Sequence, residues 1–119
     1  MTVYISPNLG KISAGEVALR AAQILQNHGA SVLMCETLRD VCNAAGVVYR
    51  PLEQCLEQTD VILTIGGDGT ILHEANLSLK HAKPILGINL GRCGFLATCE
   101  VSEMESKLPA VARGEFQLD

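Results

Sequence analysis

Four short stretches of the chain, at 3–5, 32–35, 61–65 and 85–88, are apolar at nearly every consecutive position. A strand with one face in water alternates apolar and polar residues. A continuous run needs cover on both faces, which a parallel sheet flanked by helices supplies. Helical patterns separate these runs. Ser13 and Glu16 have capping-box spacing, and Val17, Ala18, Ala21, Ala22 and Leu25 then form one apolar stripe that Gly29 is suited to end. A shorter helical stretch is expected after Thr37, and a one-turn segment from Pro51, a favoured first helical residue. Ser102 and Glu105 repeat the capping spacing ahead of a face made by Met104, Leu108 and Val111, with Gly114 as the stop.

Strands alternating with helices predict an α/β fold: a doubly wound, mostly parallel sheet with helices on both faces. With 119 residues the chain suits one domain, expected over 1–114. The closing "EFQLD" (115–119) starts to alternate like a strand with nothing to pair with. It reads as the lead into a second domain that is missing here. Only two Phe, two Tyr and no Trp are present, so aliphatic side chains must fill the core.

Ligands of open α/β sheets bind at the carboxyl ends of the strands. Three glycine-bearing segments follow strands, "SPNLGKIS" (6–13), "GGDGT" (66–70) and "NLGRCGF" (89–95), and are expected to share that rim. A glycine-rich turn between a strand and a helix gathers backbone N–H groups and suits an anion, yet Asp68 places a carboxylate at its centre. Two readings stand. Asp68 can cap the following helix. Alternatively, phosphates lie along the glycines while Asp68 meets a hydroxyl or a metal; beside bound phosphates it can take the proton from an attacking alcohol, as the catalytic-loop Asp of protein kinases does. The P-loop pattern is missing, and Gly87, Gly91 and Gly94 have G-x-x-x-G-x-x-G spacing rather than the Rossmann fingerprint.

The charge totals narrow the partners. A net charge of −4, a pI near 5.3 and no basic run give no support to nucleic-acid or anionic-membrane binding. No apolar run is long enough for a membrane span, and the N-terminal residues lack signal-peptide character. Five cysteines without a C-x-x-C pair suggest reduced thiols, neither a disulfide framework nor a zinc site, and so a cytoplasmic location.

"GGDGTIL" (66–72) followed by "GINLGRCGFLA" (87–97) resembles the bacterial NAD kinases over essentially the whole chain, taken as that family's N-terminal domain. Diacylglycerol and sphingosine kinases share a GGDG-type turn but not the second motif, and 6-phosphofructokinases share only the short turn. The resemblance implies transfer of the ATP γ-phosphoryl group to the adenosine-ribose 2′-hydroxyl of NAD. In it Asp68 is the general base, and Gly66, Gly67, Gly69 and Thr70 border the phosphates. His73 lies near the dinucleotide, Phe95 lies against an adenine, and Asn89 and Gly91 shape the neighbouring loop. It implies further a divalent ion, Mg²⁺, with ATP or polyphosphate as donor, and a homo-oligomer. The family's C-terminal domain opens on an Asn-Glu or Asn-Asp motif, and neither dipeptide occurs here. The fragment alone is therefore expected to have little or no activity. A lipid or sphingoid-base kinase and a non-catalytic nucleotide-binding module are the alternative readings of the turn. Lys11 and Arg92 are the basic residues nearest the expected rim; both read first as solvated, as does His81, and His28 sits near a helix end.

Overall fold

The structure, a computed structural model, describes residues 1–10, 13–66, 83–90 and 98–115. Six strands form one sheet: β1 (Thr2–Pro7), β2 (Ser31–Cys35), β3 (Val48–Arg50), β4 (Val61–Gly66), β5 (Ile85–Asn89) and β6 (Thr98–Glu100), in the order β3-β2-β1-β4-β5-β6. Every pairing is parallel. The chain builds outward from β1 to β3, then returns to lay β4 on the other side of β1. The order therefore reverses between β1 and β4, which is the switch point of a doubly wound sheet.

Three helices are described: α1 (Ala14–Asn27), α2 (Leu52–Gln58) and α3 (Met104–Ala112). Alternation along the strands separates two cores. Val3, Ile5, Val32, Met34, Val61, Leu63, Ile65 and Ile88 pack with the buried stripes of α1 and α3. Tyr4, Leu33 and Ile62 pack on the opposite face with Cys55 and Leu56 of α2. The four apolar runs are thus the four inner strands, covered on both faces as expected. Strands β3 and β6, which the apolar pattern did not reveal, are the three-residue edges.

Local chemistry sets the helix ends. Gly29 (φ 91°) and Gly114 (φ 75°) close α1 and α3 in left-handed turns. In each, the residue after the glycine donates its N–H to the carbonyl five residues back, Ala30 to Leu25 at 3.0 Å and Glu115 to Ala110 at 2.8 Å. Neither expected capping box forms. Ser13 precedes α1 at φ 73° and makes no side-chain cap bond, while α3 is capped by Glu103 after a 3₁₀ turn over Val101–Glu103. No α-helix follows Thr37: a 3₁₀ turn over Glu36–Leu38 opens into a loop that Gly46 (φ 80°) and the Tyr49 hydroxyl hold. Pro51 caps α2 instead of entering it, and α2 runs two turns rather than one. Residues 116–119, with the expected closing strand, lie outside the described residues.

Candidate functional site at the sheet rim

The carboxyl ends of β1, β4 and β5 lie side by side. Pro7 is in register with Ile65, and Gly66 with Asn89. Two main-chain bonds carry the alignment past the strand ends. Asn8 donates its N–H to the Ile65 carbonyl at 2.8 Å, and Leu90 donates to the Gly66 carbonyl at 2.9 Å. The segments that open at Ser6, Gly66 and Asn89 therefore leave the sheet from adjacent positions, and the "GGDGT" segment starts beside the switch point. The Asn8 side-chain oxygen accepts the Gly10 N–H at 3.1 Å, which turns the first segment toward α1.

The face that carries α2 changes character toward this rim. Tyr4, Ile62 and Ile85 form one row across three strands. The next row, by register and alternation, is Ser6, Thr64 and Gly87. Large side chains give way to small and polar ones one step below the glycine turn. Thr64 is fully buried there, and its Oγ1 has no hydrogen-bond partner.

Of the expected site residues, Gly66 is the buried last residue of β4 and Asn89 the last of β5, paired with it. Gly67, Asp68, Gly69, Thr70, His73, Gly91 and Phe95 lie outside the described residues, as do Lys11, His81 and Arg92. His28 caps the far end of α1, exposed, next to the start of β2. Ser6 and Asn8 belong to the 6–13 segment expected at the rim, whereas Thr64 was missed; its signal was a lone hydroxyl in an otherwise aliphatic run. An open groove of about 490 Å³ on the flank of α1, lined by Gln23, Gln26 and Asn43 among others, has no titratable lining residue.

Among the described residues no group of three His, Cys, Asp or Glu side chains gathers as a metal site. Cys35, Cys42 and Cys55 are free thiols, the last two buried. Burial, then the neighbouring Cys35, pushes the Cys55 thiol up to about 11; its Sγ donates to the Met34 and Arg50 carbonyls at 3.4 and 3.5 Å. That describes an inert packing thiol. No described helix is long and apolar enough to cross a membrane.

The profile of the ATP-NAD kinase N-terminal domain matches residues 3–116. The chain belongs to the NAD kinase family. That membership separates the readings of the glycine turn, favouring the NAD kinase relationship over the lipid-kinase one. The NAD kinase of Heliobacterium modesticaldum is 36% identical over 118 residues, covering 99% of this chain and 41% of the relative. That of Methanopyrus kandleri is 35% identical over 109 residues, covering 89% and 37%. The chain thus spans about two fifths of the length of these NAD kinases. Among solved structures, yeast NADH kinase complexed with NADH superposes with a TM-score of 0.75 at 22% identity, over 97% of this chain and 38% of that one. At that identity the likeness speaks for the fold, a doubly wound α/β domain shared with an NADH kinase.

Proposed function

We propose that the protein carrying this chain is an ATP-dependent NAD kinase, with residues 1–114 as its N-terminal domain and 115–119 leading into a β-rich C-terminal domain. The observation that carries this reading is the rim itself. Gly66, the first residue of "GGDGT", ends β4 at the switch point and is tied to Asn89 and Leu90 of "GINLG".

In this reading the ATP γ-phosphoryl group passes to the 2′-hydroxyl of the adenosine ribose. The bond from ribose oxygen to phosphorus forms, the bond from phosphorus to the bridging oxygen breaks, and ADP leaves with that electron pair. The hydroxyl proton goes to the Asp68 carboxylate. Backbone N–H groups of Gly66, Gly67, Gly69 and Thr70 border the phosphates, which a chain of net charge −4 must neutralise without a basic patch. His73 lies by the dinucleotide, Phe95 offers its ring to an adenine, and Asn89 with Gly91 shapes the loop between them. Mg²⁺ belongs with the donor's phosphates. Polyphosphate is the other candidate donor, the whole protein is a homo-oligomer, and the cytoplasm is its location. The acceptor pocket is divided between the two domains, so the 119-residue chain alone turns over little or no NAD.

The test is NADP formation by the complete protein with ATP, Mg²⁺ and NAD, beside its Asp68→Asn variant. A general base contributes about 10²–10⁴-fold, and a loss of that order is expected. Activity that survives the substitution returns Asp68 to helix capping, and no NADP from the wild type removes the kinase reading.

A further inference from the structure

Strand β4 reads Val-Ile-Leu-Thr-Ile-Gly, and Thr64 is its one polar side chain. Thr59, the other fully buried threonine among the described residues, is satisfied: its hydroxyl lies 2.7 Å from the Val61 carbonyl and 3.1 Å from that of Thr2. Thr64 Oγ1, at 0% exposure, has no partner. An unpaired buried hydroxyl is costly, whereas valine has the same shape, suits a strand and carries no such cost. The fold by itself gives no reason for a threonine here.

Its position does. Thr64 is two residues below Gly66, about 7 Å at the rise of a strand. It lies in register with Ser6 on one side and Gly87 on the other, on the two strands that frame the switch point and the second glycine segment. Gly87 presents no side chain toward it. A single water hydrogen-bonded at both ends spans about 5–6 Å, most of the ~7 Å rise between Thr64 and Gly66.

We propose that Thr64 is a positioning residue for the nucleotide: its buried hydroxyl, which finds no partner within the protein, hydrogen-bonds through one ordered water the phosphate or ribose oxygens of a nucleotide bound at the rim. The inference rests on the proposed function for the identity of that nucleotide, NAD or ATP. The hydroxyl does not touch the reacting atoms. It fixes the depth at which the nucleotide sits, and its unfavourable burial in the free protein is relieved on binding.

The experiment uses the complete protein and its Thr64→Val and Thr64→Ser variants, measuring melting temperature without ligand and dissociation constants for NAD and for ATP. Thr64→Val is expected to melt about 2–4 °C higher than wild type without ligand, since an unsatisfied group has been removed. It is also expected to bind one of the two nucleotides about tenfold more weakly, the size of one hydrogen bond. Thr64→Ser, which keeps the hydroxyl, should retain wild-type affinity. A gain in stability joined to a loss in affinity is not what a packing role gives. A lower melting temperature for Thr64→Val, or failure to fold, shows that the hydroxyl is already paired and overturns the proposal. So does unchanged affinity for both nucleotides, or an equal loss of affinity in Thr64→Ser. A wild type that binds neither nucleotide overturns both this inference and the proposed function, whereas one that binds them without making NADP overturns the proposed function alone.

Discussion

Replacing Tyr49 with Phe isolates two hydrogen bonds, because the ring and its packing remain. The Tyr49 hydroxyl donates to the Cys42 carbonyl at 2.6 Å and accepts the Ala44 N–H at 2.9 Å, tying β3 to the loop before it. Tyr49 is 7% exposed and Cys42 3%, so the Cys42 carbonyl loses its partner where water reaches poorly. An unsatisfied buried group costs about 1–3 kcal/mol. Ala44 is half-buried, and water recovers most of its N–H bond. The sum is about 2 kcal/mol, a large share of the 5–15 kcal/mol that holds a typical domain together. With an m-value near ~1.5 kcal/mol/M, the urea midpoint should fall by about 1.3 M. Urea unfolding of the chain and its Tyr49→Phe variant, followed by far-UV circular dichroism, measures this directly. Hydrogen exchange at the Ala44 amide should rise in the variant. A midpoint shift below about 0.3 M at unchanged m would refute the reasoning, because water would then serve both backbone groups as well as the hydroxyl does.

The same substitution should act with opposite sign at two ends of α1. Gly29→Ala meets no atom within 4 Å but is forced to φ 91°, so it should lose about 1 kcal/mol in urea unfolding. Gly15→Ala places its Cβ in ordinary contact with Leu9 at 3.6 Å inside the helix and should gain about 0.5–1 kcal/mol. Stability should also fall with rising alkaline pH through the buried thiols. Burial holds the folded Cys55 thiol at about 11, above its ordinary 9.0, and Cys42 is raised by the same cause. The unfolded chain therefore releases these protons first. The contribution is complete below pH 9 and is lost between about 9 and 11, up to about 2 kcal/mol from Cys55. A urea midpoint whose decline over that range is as steep in Cys55→Ala as in the unmodified chain would contradict the assignment.

What could be read from the residues followed burial. The four inner strands are sandwiched between helices, so they read as unbroken apolar runs, and their shared parallel direction implied a common rim. Edge strands β3 and β6 are three residues each, with one side unpaired, and left no such pattern. The capping boxes failed for a local reason. A serine three residues before a glutamate allows the motif but does not impose the backbone that lets its oxygen reach. Ser13 sits at φ 73°, where it does not. The loop after Thr37 was unreadable because its organiser, the Tyr49 hydroxyl, comes from a later strand. At the candidate site, "GGDGT" and the second motif were legible as a family resemblance, which the match over residues 3–116 supports. Thr64 was not, because a hydroxyl in a strand is unremarkable until its burial and missing partner are known.

Site and core here depend on one register. The rim brings together residues 6–8, 64–66 and 87–90, far apart in the chain, and main-chain bonds align them there. The alignment is set lower down, where Ile5, Leu63 and Leu86 pair on one face and Tyr4, Ile62 and Ile85 on the other. A one-residue slip of β4 would exchange those two sets and turn Thr64 to the face of α1 and α3. Burial of both faces makes that slip prohibitive. The apolar rows beneath the rim thus fix where Gly66 ends its strand. The carboxyl end of the sheet can carry small and polar residues such as Ser6, Thr64 and Gly87 because the rows below it are apolar on both faces.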